Sequence, residues 1–354
     1  NFTSLHSKRI TVYDIAEKAG VSQTTVSLAL RNHYRISEKR RRQIRRIADE
    51  MGYAPDPFLS TLASYRAQIH PSREQSVIAW INHWEQPERL RGAHREFDAY
   101  WRGAQTSAKR FGYKLEEIRW SADHSARRFE QILLTRGIRG VLIPPHHVVP
   151  DWGNFDWSKF SIIRFGLSVP SPDSHLVTSD QQRAVIMALK RISDYGYRRI
   201  GMTISDRLDQ NIGGNYTGGF YAAQKLFKVP GVNSLLETDE EVFRHRPTMM
   251  KERLRKWLEK TQPDAVLTAD GLVPVFIREL GYRIPKDIAV AGTALDVPVD
   301  TGIDQHSEAI GRIAVEALVA QINLNERGEP TDPSRILVES RWRDGTSLPQ
   351  SRKL

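Results

Sequence analysis

The chain contains no cysteine. Disulfides, thiolate metal sites and cysteine nucleophiles are therefore excluded, and such a chain suits a reducing compartment. It also lacks any apolar run of about 18 residues or more, the length that a membrane-spanning helix needs. Residues 1–8 have no apolar core, so no secretory leader is expected there, and a cytoplasmic protein without membrane attachment is. No Gly-x-Ser-x-Gly elbow is present. The glycine-rich run Gly213–Gly219 has no Gly-Lys-Ser/Thr and no Gly-x-Gly-x-x-Gly, so it reads as a loop that binds no phosphate. His146-His147 has no further ligands at metal spacing. No catalytic residue, metal or cofactor is expected, although a triad assembled only in space would leave no linear trace.

What the chain does have is positive charge, unevenly spread. Its 354 residues carry a formal net charge of +10. Residues 1–66 hold 12 Lys+Arg and 6 Asp+Glu, a balance of +6, while the other 288 hold 40 and 36, a balance of +4. More than half of the excess sits in less than a fifth of the chain. That asymmetry fits a nucleic-acid module joined to a nearly neutral domain, or a merely basic surface.

The first fifty residues read as three helices. Thr11, with Asp14 three residues on, forms an N-cap for a helix to about Ala19. Its apolar positions Val12, Ile15, Ala16 and Ala19 follow a 3.6-residue period. Gly20 supplies the turn, and Ser22 caps a second helix, Gln23–Leu30, that buries Val26, Ala29 and Leu30. Gln23, Thr24, Thr25, Ser27 and Leu28 fall on its other face. A third helix from Ser37 turns Ile44, Ile47, Ala48 and Met51 inward and ends at Gly52. Two short helices joined at a glycine and backed by a third form the helix-turn-helix pattern, although three-helix units also serve as plain packing domains. The basic run Lys39–Arg42 with Arg45 and Arg46 reads as a solvated helix face, with two or three of the six expected near phosphates.

Asp56-Pro57 then starts a helix of about two turns over Phe58–Ser64, too short to persist alone. From Ser76 strands alternate with helices. The pattern predicts strands at Val77–Ile81, Lys114–Ile118, Gly140–Ile143, Arg199–Thr203, Ala265–Thr268, Ile288–Ala291 and Ile336–Glu339. Helices are predicted at Phe97–Phe111, Ser125–Arg136, Gln181–Tyr195, Thr217–Phe227, Thr248–Lys260, Leu272–Leu280 and Ser307–Asn323. Alternation of this kind builds parallel sheets covered on both faces. About ten strands over some 280 residues divide better into two lobes than into one sheet.

The segment Ile10–Ser27, from Ile10-Thr-Val-Tyr-Asp-Ile-Ala onward, resembles the DNA-binding headpiece of the lactose/galactose repressor family. The likeness continues through Ile36-Ser-Glu-Lys-Arg to Met51-Gly-Tyr-Ala-Pro55, and more loosely through Gly140–Ile143, Gly196–Gly201, Gly218-Gly-Phe220, Pro285–Val290 and Ile310-Gly311. It implies an all-α helix-turn-helix headpiece (1–55), a hinge helix and linker (56–75), and a ligand-binding domain (76–354) of periplasmic-binding-protein-like α/β fold with two parallel-sheet lobes. The lobes are expected at about 76–192 with 305–335, and 193–304 with 336–347, the chain crossing near 193, 304 and 336. By resemblance Gln23, Thr24 and Thr25 face bases, Tyr13, Ser22 and Ser27 grip the DNA, and Val12 and Leu28 lie beside them. Leu62, with Leu59 and Ala63, would wedge a paired hinge helix into the minor groove; packing of these residues on the larger domain is the alternative. Leu28 stands where many members carry arginine or asparagine.

Ligands of such folds bind in the cleft at the carboxyl ends of the strands. The candidates are Asn82, Trp84, Asp180, Tyr216, Asp270, Thr293, Asp296 and Gln305, each of which could also be an ordinary loop residue, and Asp180 a helix cap. Tyr216 and Ala294 stand where sugar-responsive members usually carry arginine and aspartate, so the effector is a saccharide, a sugar acid or another small molecule. The expected partners are double-stranded operator DNA, that effector and a second copy of the chain, with no enzymatic turnover. Repressor and activator are not separated by sequence. A ligand-binding or enzymatic α/β protein is the rival reading, and residues 10–64 are what speak against it.

Overall fold

The computed structural model describes residues 10–30, 36–53, 76–82, 84, 95–120, 125–146, 150–228, 234–239, 245–294 and 296–350. The expected hinge with Leu59, Leu62 and Ala63 lies outside the described residues.

The headpiece is α1 (Val12–Ala19), α2 (Gln23–Leu30) and α3 (Glu38–Glu50). Thr11 and Asp14 form the expected reciprocal cap, the Asp14 N–H donating to Thr11 Oγ1 at 3.4 Å and the Thr11 N–H to Asp14 Oδ2 at 2.7 Å. Gly20 closes α1 at φ 65°, a left-handed conformation that glycine adopts without a Cβ penalty. Ile15, Val26, Ala29 and Ile44 are fully buried at the centre of the three helices.

Two six-stranded sheets follow. In chain order the elements are β1 (Ser76–Asn82), α4 (Arg95–Arg110), β2 (Tyr113–Arg119), α5 (Ala126–Thr135), β3 (Gly140–Ile143), β4 (Ser161–Phe165), β5 (His175–Ser179) and α6 (Gln181–Asp194). Then come β6 (Ile200–Ser205), α7 (Asp206–Asn211), α8 (Asn215–Phe227), β7 (Ser234–Thr238), α9 (Pro247–Thr261), β8 (Ala265–Thr268), α10 (Val273–Glu279), β9 (Ala289–Gly292) and β10 (Gly302–Asp304). The chain ends with α11 (Ser307–Leu324), β11 (Arg335–Val338) and β12 (Arg341–Arg343). Sheet one runs β2-β1-β3-β4-β5-β11 and is wholly parallel. Sheet two runs β7-β6-β8-β9-β10-β12, parallel except for the antiparallel edge pair β10–β12.

The central strands are buried end to end, as strands covered on both faces must be. Helices α4 and α11 cover one face of sheet one, while α5 and an aromatic group of Trp120, Phe129, Trp152, Phe155 and Phe160 cover the other. In lobe two, α6 and α8 cover one face and α9 and α10 the other.

Two of the expected lobe boundaries need correction. Helix α6 follows a strand of sheet one, but its buried Ala184, Val185, Ala188, Leu189 and Ile192 pack with Ile200, Met202 and Phe220 of lobe two. The first crossing therefore falls at Asp180 rather than near 193. Strand β11 pairs with β5 in sheet one, Arg335 opposite Leu176, so the third crossing falls at residues 339–340 rather than at 336. The middle crossing lies at residues 305–306, between β10 and α11. The crossings are tied together: the Asp180 N–H donates to the Val338 carbonyl at 3.1 Å, and His306 Nδ1 lies 2.8 Å from the Glu339 carbonyl.

Candidate DNA-reading surface and interlobe site

On the headpiece, helix α2 turns Val26 and Ala29 inward and leaves Ser22, Gln23 and Thr24 exposed at its start. Ser22 Oγ accepts the Thr25 N–H at 3.1 Å and lies 2.9 Å from the Thr25 hydroxyl, so this pair builds the helix N-terminus. Gln23 and Thr24 are exposed and bond no other side chain among the described residues, and they carry an amide and a hydroxyl of the kind that bonds base edges. Tyr13 is 60% exposed. Val12 and Leu30 pack against the headpiece core, and Ser27 and Leu28 are half-buried.

Much of the basic run has structural work. Arg40 donates to the Ala19 carbonyl at 3.3 Å and Arg45 to the Leu30 carbonyl at 3.4 Å, each at the end of a neighbouring helix. Arg42 pairs with Glu38, and Arg46 with Glu50 at 3.5 Å. Arginines placed at helix carboxyl ends satisfy orphan carbonyls and suit the helix dipole.

The second candidate site lies where the lobes meet. Gln305, at the middle crossing, accepts from Ser179 Oγ of sheet one at 2.9 Å. Its Nε2 donates to the Tyr216 hydroxyl of α8 at 2.9 Å and to the Thr293 carbonyl at 3.0 Å. One amide therefore joins the carboxyl end of β5 to two parts of lobe two. Tyr216 is only 5% exposed, and burial pushes its phenol up to about 12 despite hydrogen bonds from Thr293 and Gln305. Asp209 of α7 accepts the N–H groups of Tyr216 and Thr217 and so holds the first turn of α8 in place.

A second bridge lies alongside. The Glu96 N–H at the start of α4 donates to Asp296 Oδ1 of lobe two at 3.3 Å. The Glu96 carboxylate is buried and accepts from the Ser307 hydroxyl at the start of α11. Ser307 also bonds Tyr100, whose phenol is driven above its ordinary range by burial and by Glu96.

Of the expected effector residues, the fold thus gathers Tyr216, Thr293 and Gln305 into one network, with Asp296 in the neighbouring bridge. Asn82 and Trp84 form a separate group. Asn82 accepts the Trp84 N–H at 2.9 Å and donates to Glu117 at 2.6 Å, and the Trp84 indole donates to the Pro145 carbonyl at 3.2 Å. The Trp84 ring meets Phe97 edge-on at 5.4 Å and tilts over His146 at 4.5 Å. Asp180 caps α6 by accepting the Arg183 N–H at 3.0 Å, and Asp270 accepts the Leu272 N–H at 2.9 Å in a turn.

Sequence reasoning missed Glu96, Tyr100, Ser179 and Ser307. Glu96 left one trace, a carboxylate in line with Ala99, Gly103 and Ala104 on the buried face of α4. Among the described residues no three histidine, aspartate or glutamate side chains gather as a metal would require, and no helix is long and apolar enough to cross a membrane.

Comparison with known proteins bears on both halves. Residues 11–56 match the family of bacterial regulatory proteins named for lacI, and residues 189–348 match a periplasmic-binding-protein-like domain. The HTH-type transcriptional regulator GntR of Escherichia coli (strain K12) is 35% identical over 348 residues, covering 94% of this chain and 96% of its own length. CelR of Thermobifida fusca, another HTH-type transcriptional regulator, is 25% identical over 346 residues, covering 94% of this chain and 96% of its own length. Among solved structures, a complex of the regulator CelR with cellobiose superposes with a TM-score of 0.57 at 22% identity, covering 96% of this chain and 100% of that one. The lac repressor dimer bound to operator superposes at 0.53 with 17% identity, covering 97% of this chain and 100% of that one. A helix-turn-helix headpiece on a two-lobed binding fold, with a relative 35% identical along nearly its whole length, places this chain in the lacI family of bacterial regulatory proteins, DNA-binding regulators of transcription.

Proposed function

We propose that the protein is a homodimeric repressor that binds a palindromic operator and is controlled by a small polyhydroxylated effector, a sugar or sugar derivative, between its lobes. The headpiece (1–55) reads the major groove through Gln23 and Thr24, with Tyr13, Ser22, Thr25 and Ser27 and the neighbouring Val12 and Leu28 along the DNA. The segment 56–75 serves as a hinge whose Leu59, Leu62 and Ala63 enter the minor groove. The protein acts by binding, without turnover.

The observation that carries the effector reading is the network from Ser179 through Gln305 to Tyr216 and Thr293. It concentrates amide and hydroxyl groups at the strand ends and at a chain crossing, so a hydroxyl-bearing ligand that replaces these bonds changes how the lobes meet. Asp296 lies in the adjoining bridge, and Asn82, Trp84, Asp180 and Asp270 complete the proposed set of ligand contacts. Tyr216 and Ala294 in place of arginine and aspartate give this pocket its own specificity. Bound sugars in the related structures of the CelR–cellobiose complex and of a regulator from Enterococcus faecium with ribose support the class of ligand.

The test is selection of bound sequences from a random duplex library at near-physiological salt, then titration of the best site with sugars and sugar acids. An enriched palindrome whose occupancy falls with one compound is the expected result. No enrichment under any condition would overturn the reading.

A further inference from the structure

A cavity of about 530 Å³ opens where the start of α4 in lobe one approaches lobe two, and Arg95, Arg278, Arg343, Asp296 and Asp300 are among the residues that line it. That volume is in the range of small-molecule sites, on the order of 300–1,000 Å³. The arginines come from three distant parts of the chain: Arg95 opens α4, Arg278 lies in the last turn of α10 and Arg343 ends β12.

Arg255, Arg283 and Arg312 each hold a carboxylate within 3.0 Å. Among the described residues the three cavity arginines hold none. Arg278 reaches only the Pro274 carbonyl at 3.5 Å, and Arg343 only the Val299 carbonyl at 3.4 Å. The Arg343 Nε is buried and meets no acceptor among the described residues. A buried donor left without a partner costs free energy unless something fills the place.

The nearby aspartates do not fill it. Asp300 already accepts the Thr346 N–H and hydroxyl, both at 2.7 Å, and the Ser347 N–H at 2.8 Å. Burial opposes its charge, yet these bonds hold its carboxyl well below the ordinary range. Asp296 is engaged with the Glu96 N–H. Guanidinium groups stay protonated, and their planar fork matches an oxyanion.

We propose that this cavity binds a small organic oxyanion, a carboxylate- or phosphate-bearing metabolite held by Arg95, Arg278 and Arg343, as a second ligand site beside the interlobe network. Arg95 belongs to lobe one and the other two to lobe two, so the occupant would bridge the lobes and favour the arrangement that keeps them together. The inference is independent of whether the network around Gln305 binds a sugar.

The full chain is titrated calorimetrically with inorganic phosphate and with citrate, against sodium chloride of equal ionic strength. Saturable binding of at least one anion is expected, phosphate alone pointing to a phosphate-bearing ligand and citrate alone to a carboxylate. Arg278→Gln, an exposed position, and Arg343→Gln should each weaken that binding about tenfold or more. Gln305→Ala, which touches the cavity only through the way the lobes meet, should weaken it less than either arginine variant, which separates this site from the effector reading. The proposal is overturned if neither anion binds beyond the chloride control. It is equally overturned if binding survives Arg278→Gln combined with Arg343→Gln in one chain, or if the arginine variants weaken self-association in sedimentation, which would make a second copy the occupant.

Discussion

The two lobes are built on one plan and packed in two ways. Strand order β2-β1-β3-β4-β5-β11 in one matches β7-β6-β8-β9-β10-β12 in the other, and each is covered by a helix from its own half and a helix that has crossed over. In lobe one, α4 and α11 meet backbone to backbone: a Cβ on Gly103 would lie 1.9 Å from the Glu308 carbonyl oxygen, and one on Gly311 2.1 Å from that of Tyr100. In lobe two the matching pair, α8 and α6, keeps more room. A Cβ on Gly219 would sit 2.7 Å from the Gln182 carbonyl oxygen and 2.9 Å from Val185 Cβ. Both pairs therefore meet at backbone, but the pair that carries Glu96, Tyr100 and Ser307 is closer at its centre than the pair that carries Tyr216. Between two similar lobes, the first tolerates less added volume where its crossing helix docks.

The sharpest way to break that contrast is to add one methyl group to each pair. Gly311→Ala should cost at least about 3 kcal/mol and Gly219→Ala about 1–3 kcal/mol, as overpacking does, read from denaturant midpoints at unchanged slope. Equal losses would mean that the lobes do not differ in this way. Next in size is Tyr216→Phe, which removes the acceptor of the Gln305 amide and should cost about 1 kcal/mol. It has a pH signature as well. The Tyr216 phenol sits at 10.0 when unperturbed and is raised to about 12 in the fold. A raised value means that the folded state holds its proton longer, so its contribution is complete below pH 10 and is lost as pH climbs toward 12. The variant should flatten that alkaline fall in stability, and an identical profile would remove Tyr216 from the buried network. Smallest in stability is Thr24→Ala on the exposed face of α2, within about 0.5 kcal/mol. In binding assays it should relax base preference, while Arg41→Ala should lower affinity alike on every duplex. The reverse pattern would move the reading surface elsewhere.

The legible parts of the chain were those with a local cause. Helices α1 and α2 and strands β3 and β8 fall at the residues that the sequence predicts, because caps, glycines and short bounded apolar runs mark their ends. Strands β4, β5, β7, β10 and β12 were not foreseen: Arg164 interrupts the apolar run of β4 although that strand is buried throughout, and β10 and β12, three residues each, exist only through their neighbours. The lobe boundaries were misjudged for the same reason. Nothing between Asp180 and Gln181 announces that the chain has changed partners; only the packing of Val185 and Leu189 against Phe220 does. At the interlobe network, Gln305 and Tyr216 were readable from their places at a strand end and a helix start. Glu96 and Ser307 were not, since a buried carboxylate and its hydroxyl donor stand 211 positions apart.

The crossing helices also set a timetable for synthesis. Lobe one is begun by residues 76–179 but lacks α11 and β11 until residues 307–338 have been made. Through that interval strand β5 presents an unpaired edge, and α4 has no partner for Gly103. Nascent chains with open edges and bare apolar faces are prone to aggregate. The first lobe to start is thus unable to finish early: lobe two, whose α6, β6 and α8 come consecutively, can consolidate most of its core while lobe one waits on the ribosome for its last helix.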